Sequence, residues 1–162
     1  MTSTAGRSDA PIIVGDADAL IAIVHEEDIH HTKAVSLLQE LVEQQANIIF
    51  PLTAIAESIT TVQRKLSNPV LARRMVEQVQ KGAVVIEEVS RELFIEALAL
   101  FDARGSKHNT LHDAIVAAVA QDYQADAIFS FDGWYRKVGL RLVGDIAMPG
   151  GLVGNDGAGD SN

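Results

Sequence analysis

Residues 110–132 read TLHDAIVAAVAQDYQADAIFSFD. Thr110-x-x-Asp113 has the form of a capping box, and the run Ala114-Ile115-Val116-Ala117-Ala118-Val119-Ala120 behind it is apolar throughout. A helix that apolar is buried on most sides, so its polar start must face a cavity or a terminus. Ala127–Phe131 then reads as a strand, and Asp132-Gly133 turns the chain. A buried helix with an acid in its first turn and a short apolar strand with an acid at its end therefore follow one another in a single stretch.

Working outward, the alternation continues. Toward the N-terminus, Pro11–Asp16 is a short apolar β run and Ala17–Val24 a short helix. Ile29–Gln45 is an amphipathic helix with Ala34, Leu37, Leu38, Leu41 and Val42 on one stripe. Ala46–Phe50 is a second strand. Pro51 starts a helix with Ile55, Ile59, Val62 and Leu66 on one face, Asn68-Pro69 breaks it, and a further helix runs to Lys81. Ala83–Val89 is a third strand, and Ser90 caps a helix to Arg104. Beyond Asp132, Leu140–Val143 reads as a short last strand. Alternation of this kind predicts an α/β fold with a mainly parallel sheet and helices on both faces.

The chain of 162 residues suits one domain with a core of its own. We expect that domain over residues 11–147, with a disordered polar N-terminus, 1–10, and a disordered Gly/Asp-rich tail, 148–162. There is no cysteine, which excludes a disulfide scaffold, a thiolate metal site and a thiol nucleophile. The first ten residues lack the apolar core of a secretory signal, and no apolar run reaches the roughly 18 residues needed to span a bilayer. The reading is a soluble cytoplasmic protein without a membrane association. A net charge of −9 argues against a general nucleic-acid coat but not against a nuclease, whose metal site concentrates carboxylates.

Four acids stand at telling places. Asp16 ends the first strand, Glu57 lies early in the helix after the second, Asp113 lies in the first turn of its buried helix, and Asp132 ends the strand that follows. A helix that follows a strand of a parallel sheet begins at the carboxyl edge of the sheet, where open α/β sheets bind ligands. Carboxylates gathered there repel one another. A hard divalent cation relieves that repulsion, and oxygen-only ligands select Mg²⁺ or Mn²⁺. Each acid also has a plainer role: Asp16 as a helix cap, Asp132 as a turn residue, Asp113 as half of the capping box, Glu57 as a solvated helix acid.

Ile12–Ala22, Thr53-Ala54-Ile55-Ala56-Glu57, Leu111–Ala120 and Ala125–Asp132 followed by Leu140-Arg141-Leu142 resemble, in order, the four motifs of PIN domains. The resemblance is to the VapC-type toxins of VapBC toxin–antitoxin pairs and covers about residues 11 to 143. It implies a PIN-like three-layer sandwich and a metal-dependent endoribonuclease. Asp16, Glu57, Asp113 and Asp132 would hold Mg²⁺ or Mn²⁺ and position the attacking water, with Ser130 supporting the site. It also implies an RNA substrate, an antitoxin protein as partner and a homodimer. The sequence departs from the family at Asp18, where a small hydroxyl residue is commoner; a helix cap is the favoured reading and a supporting carboxylate the other. Gly15 is also unusual, and a tight strand end accounts for it.

Arg64, Lys65, Arg73, Arg74 and Lys81 face only Glu77 in residues 60–81, a local +4 in an acidic chain. This is either a solvated helical hairpin or a wall that binds RNA phosphates, with Lys107, Arg136 and Lys137 as an opposite wall. His25, His30, His31 and His108 read as surface residues. His112 points about 100° away from Asp113 on the helix, so no general acid is assigned. Two alternatives stay open: a haloacid-dehalogenase-like phosphatase with Asp16 as nucleophile in Asp16-Ala17-Asp18, and a non-catalytic PIN-like binding module.

Overall fold

Ile12–Gly15 forms β1, and its alternation divides the molecule into layers. Successive strand side chains point to opposite faces. Ile13 packs with Ala19, Ala22, Ala34 and Leu41 on one side, and Val14 packs with the buried Ala114–Ala120 run on the other. The structure is a computed structural model that describes residues 10–105 and 108–146. Apart from Ala10, the segments expected to be disordered, 1–10 and 148–162, lie outside the described residues, as does Lys107.

The elements follow as α1 (Ala17–Val24), α2 (His31–Glu43), β2 (Asn47–Pro51), α3 (Leu52–Arg64), α4 (Pro69–Gln80), β3 (Val85–Glu87), α5 (Arg91–Leu100), α6 (Leu111–Asp122), β4 (Ala127–Phe129) and α7 (Trp134–Lys137). The four strands make one wholly parallel sheet in the order β3-β2-β1-β4. Helices α5 and α6 cover the face of Val14, Ile49 and Ile128; α1 and α2 cover that of Ile13, Ala127 and Phe129. Helix α3, braced by α4, closes the β2 end through Phe50, Ile55, Val62 and Met75. This is the three-layer α/β arrangement expected. Among the described residues no helix is long and apolar enough to cross a membrane.

The starts of the helices obey local rules. Asn68 accepts from the Leu71 N–H with Pro69 in the first turn of α4, Ser90 accepts from Leu93, and Thr110 and Asp113 form the capping box of α6. The expected last strand is a correction. Only Leu142 bridges to Ile128, and Val143–Asp145 turns into a short 3-10 helix instead. The Asp145 carboxylate accepts from the Leu142 N–H, and this local bond bends the backbone out of the extended form. Gly15 answers a steric need rather than a tight turn. A Cβ there would stand 2.1 Å from the Phe50 ring, which fills the space.

Candidate active site

The chain visits β1, β2 and β3 on one side and returns to place β4 on the other. The carboxyl ends of β1 and β4 therefore meet at the point where strand order reverses, the usual crevice of such sheets. Asp16 stands there. Its backbone N–H donates to Phe129 O at 3.0 Å, tying it to the end of β4. It caps α1 through Oδ1, which accepts from the Ala17 N–H at 2.6 Å, while Oδ2 accepts from the Tyr135 hydroxyl at 2.7 Å. Asp16 and Tyr135 are both buried.

Asp18 does not cap α1, contrary to the favoured reading; Asp16 holds that position. Asp18 Oδ2 instead reaches across to the end of β4, accepting from Ser130 Oγ at 2.9 Å and from the Phe131 N–H at 2.8 Å. Ser130 Oγ lies 3.4 Å from Asp16 Oδ2 and accepts from the Asp132 N–H at 3.1 Å. One buried hydroxyl thus links three acids. Asp18 Oδ1 is buried and makes no bond of hydrogen-bonding geometry.

The other three acids are less deeply set. Glu57 sits on the second turn of α3, with the His112 Nδ1 3.6 Å from its Oε2. Asp113 turns its carboxylate back to the Thr110 N–H. Asp132 accepts from the Trp134 N–H at 2.8 Å and from the Asn109 amide at 3.1 Å, the turn geometry foreseen for Asp-Gly. As oriented by these local bonds, no three His, Asp or Glu side chains among the described residues are placed to hold one ion.

Electrostatics nonetheless join the acids. Burial raises the Asp16 carboxyl well above the usual range, Asp18 and Asp113 add repulsion, and the Tyr135 hydrogen bond opposes both. Burial likewise raises Asp18, with Asp132 adding to it. Glu57 is raised by burial and by Asp113, and lowered by His112 and Lys65. Asp113 is raised by burial and by Asp132. Neighbouring carboxylates penalise one another's charge, so the shifts record that Asp16, Asp18, Glu57, Asp113 and Asp132 share one crevice. The buried Tyr135, whose own hydroxyl is pushed up by burial and by Asp16, is the site residue that sequence reasoning missed. Its only signal was a polar aromatic three residues after Asp132, beside Trp134 in a short segment between a turn and two basic residues.

The basic residues divide. Lys65 lies close enough to Glu57 to lower its carboxyl, and Arg64 and Lys65 share its helical face by spacing. Arg73 pairs with Glu77 at 3.4 Å on an exposed turn of α4. Arg74 borders two cavities between α1 and α4, away from the acids. Two histidines are also built in, contrary to the surface reading. His30 stacks on Phe131 with ring centres 4.3 Å apart, and His31 Nδ1 lies 2.7 Å from Ala22 O.

The PIN domain family matches residues 13–140, which favours that reading of Asp16-Ala17-Asp18 over a phosphatase one. No curated protein matches the chain. Among solved structures, Mycobacterium tuberculosis VapC20, described as a Sarcin-Ricin loop cleaving toxin, is similar with a TM-score of 0.68 and 19% identity. That similarity covers 79% of this chain and 95% of that one. FitAcB from Neisseria gonorrhoeae is similar with a TM-score of 0.55 and 14% identity, over 80% of this chain and 95% of that one. At these identities the likeness concerns the fold.

Proposed function

The chain belongs to the PIN-domain family, and from that premise we propose that it is a Mg²⁺- or Mn²⁺-dependent endoribonuclease. Asp16, Glu57, Asp113 and Asp132 would hold the metal. The observation that carries the reading is the family match together with the convergence of Asp16, Asp18 and Asp132 on the Ser130 hydroxyl at the sheet edge, where burial, and secondarily repulsion between neighbouring carboxylates, raises Asp16, Asp18, Glu57 and Asp113. The donor set fits a hard cation: all its atoms are carboxylate oxygens, and the buried Asp18 Oδ1 lacks a partner beside them. The bonds that turn Asp113 and Asp132 away are few, one backbone donor to Asp113 and one backbone and one amide donor to Asp132, and a divalent charge can outcompete them. When bound, the metal would lower the pKa of a water and offset charge developing on a phosphodiester.

The chain's own residues prepare that chemistry. Tyr135 and the Ala17 N–H fix both oxygens of Asp16. Asp18 holds Ser130, and Ser130 in turn holds the backbone of Asp132. The basic stretch at Arg64 and Lys65 adjoins Glu57 and would meet the RNA backbone near the acids, while Arg73 and Arg74, on α4, would meet it only beyond them. The likeness to a toxin described as loop-cleaving supports RNA as substrate.

The test is cleavage of single-stranded RNA with and without Mn²⁺. Asp113→Asn should keep its fold and lose activity by about a thousandfold, roughly 4 kcal/mol of transition-state stabilisation. Wild-type activity in that variant, or full activity in chelator, would sink the assignment.

The same reading takes an antitoxin as partner, because a crevice of carboxylates offers a site to an arginine side chain. A partner of that kind should abolish cleavage in the same assay. A homodimer is supported by the exposed Phe94, Ile95 and Leu98 on α5, next to exposed Val85 and Ile86 on β3. Its mass in solution should be twice 17.4 kDa; a stable monomer at micromolar concentration refutes it.

A further inference from the structure

On the side of Ser130 away from α3 lies a pocket of about 180 Å³, lined by His30, Lys33, Ser130, Phe131, Arg136 and Asp145 among others. We propose that this pocket is a subsite for one phosphate and the adjoining base of the RNA strand, with Arg136 and Lys33 on the phosphate and the His30–Phe131 stack against the base. The proposal rests on the nuclease reading above and goes beyond it in saying where the strand leaves the acids.

Contiguity is the first argument. Ser130 and Phe131 line the pocket, and the same two residues bond to Asp18, with Ser130 also bonded to the Asp132 backbone. A strand cleaved at the acids can therefore pass into the pocket without crossing a ridge of unrelated structure.

The second argument is the orientation of Arg136. Its Nε and Nη2 each donate to the Asp145 carboxylate at 2.7 Å. A guanidinium has five N–H donors in a fixed fork, and this clamp uses two. Nη1 lies by Gly133, only 3.4 Å from where a Cβ would stand. The unused edge of the guanidinium is thus held next to the residue that follows Asp132, with its side chain already ordered. An arginine fixed in advance loses less freedom on meeting a phosphate than a mobile one.

Lys33 supplies the second charge. Its Nζ lies by Gly144, and its field helps to hold the Asp145 carboxyl low. Two cations therefore surround one carboxylate, and the pocket carries a net positive charge beside a cluster of acids. In a chain of net charge −9, a polyanion needs such local cations to approach at all. The His30–Phe131 pair adds a flat surface, and bases splayed from single-stranded RNA stack on such surfaces regardless of sequence.

The plainer possibility is that Arg136 and Asp145 only staple the turn after β4. Cleavage kinetics across a salt series separate the two. We expect Lys33→Ala, at a residue whose side chain makes no hydrogen bond to the described residues, to raise KM about threefold. Lys33→Ala with Arg136→Ala should raise it about tenfold or more and flatten the log–log salt slope by about 0.7, one phosphate neutralised on a single strand. His30→Ala should raise KM about fivefold, while Mn²⁺ binding stays as in the wild type in all three. If wild-type protein cleaves no RNA, the nuclease reading fails and this one with it. If wild-type cleaves and the variants keep its KM and slope, the subsite alone is overturned. Variants that cleave normally but escape an inhibitory partner would assign the pocket to protein and overturn it equally. Thermal unfolding of the Lys33→Ala protein, expected to match wild type, keeps the test independent of the staple.

Discussion

The acids of the crevice fall into two sets held in different ways. Asp16, buried, and Asp18, half-buried, are interlocked by long-range side-chain bonds to Ser130, Phe131 and Tyr135. Glu57, Asp113 and Asp132 are half-buried; Asp113 is held by its own cap, and Asp132 by its own turn and the Asn109 amide. The difference teaches a division of labour. The inner pair cannot reorient without breaking contacts between β1 and β4, so it serves as a fixed frame. The outer three are held by bonds that cost about 1 kcal/mol each to exchange, so they are free to swing toward a cation.

The largest effect is expected of Tyr135→Phe, which deletes one hydroxyl and leaves the ring. If the inner frame needs this bond, Mn²⁺ affinity and cleavage should each fall by about 10- to 100-fold, the usual cost of losing a partner that orients a ligand. The Tyr135 bond favours the charged form of Asp16, so the loss should be larger at pH 6 than at pH 8. Calorimetric Mn²⁺ titration at both values checks it. Equal affinity to wild type would make Tyr135 a packing residue only.

A smaller effect concerns stability. The folded-state carboxyls of Asp16 and Asp18 lie above their ordinary value of 3.8, mainly through burial. The fold therefore binds these protons more tightly than the unfolded chain does, and the contribution to stability is full below about pH 3.8 and lost as pH rises through the raised values. Metal-free protein should accordingly show a Tm component that falls as the pH rises above about 4. Mn²⁺ should restore it, and Asp18→Asn should flatten it more than Glu57→Gln does. A metal-free Tm that rises steadily over that range, with no difference between the variants, would mean that the inner pair is not a strained frame.

Sequence legibility follows the same division. The outer acids announced themselves through local grammar: the Thr110–Asp113 capping box and the Asp132-Gly133 turn are read within four residues and both occur. The parallel sheet and its helices were legible from alternating periodicity, because each element buries one stripe or one strand face. The inner frame was not. Asp18 meets Ser130 across 112 residues of chain, and Tyr135 meets Asp16 across 119. No local pattern encodes such a pairing, and at Asp18 the local rule for helix caps pointed the wrong way. His30 escaped for the same reason, since its partner Phe131 lies at the far end of the sheet order. The last strand failed for the opposite cause: a single local bond at Asp145 overrode an apolar pattern that read as extended.

The Phe50 ring against Gly15 has a bearing on how this protein tolerates change. The ring occupies the volume that any side chain at position 15 would need, and it is itself buried in the cluster that seats α3. Position 15 is thus closed to the other amino acids by crowding alone, immediately before a residue that the proposed metal chemistry would close to substitution. To an observer of lineages or of a mutant library, the two neighbours would look alike, both nearly invariant. Yet one guards volume and the other guards charge. Drift at position 15 can begin only after residue 50 has grown smaller, so the order in which substitutions become permissible is written into the contact between one hydrogen atom and one aromatic ring.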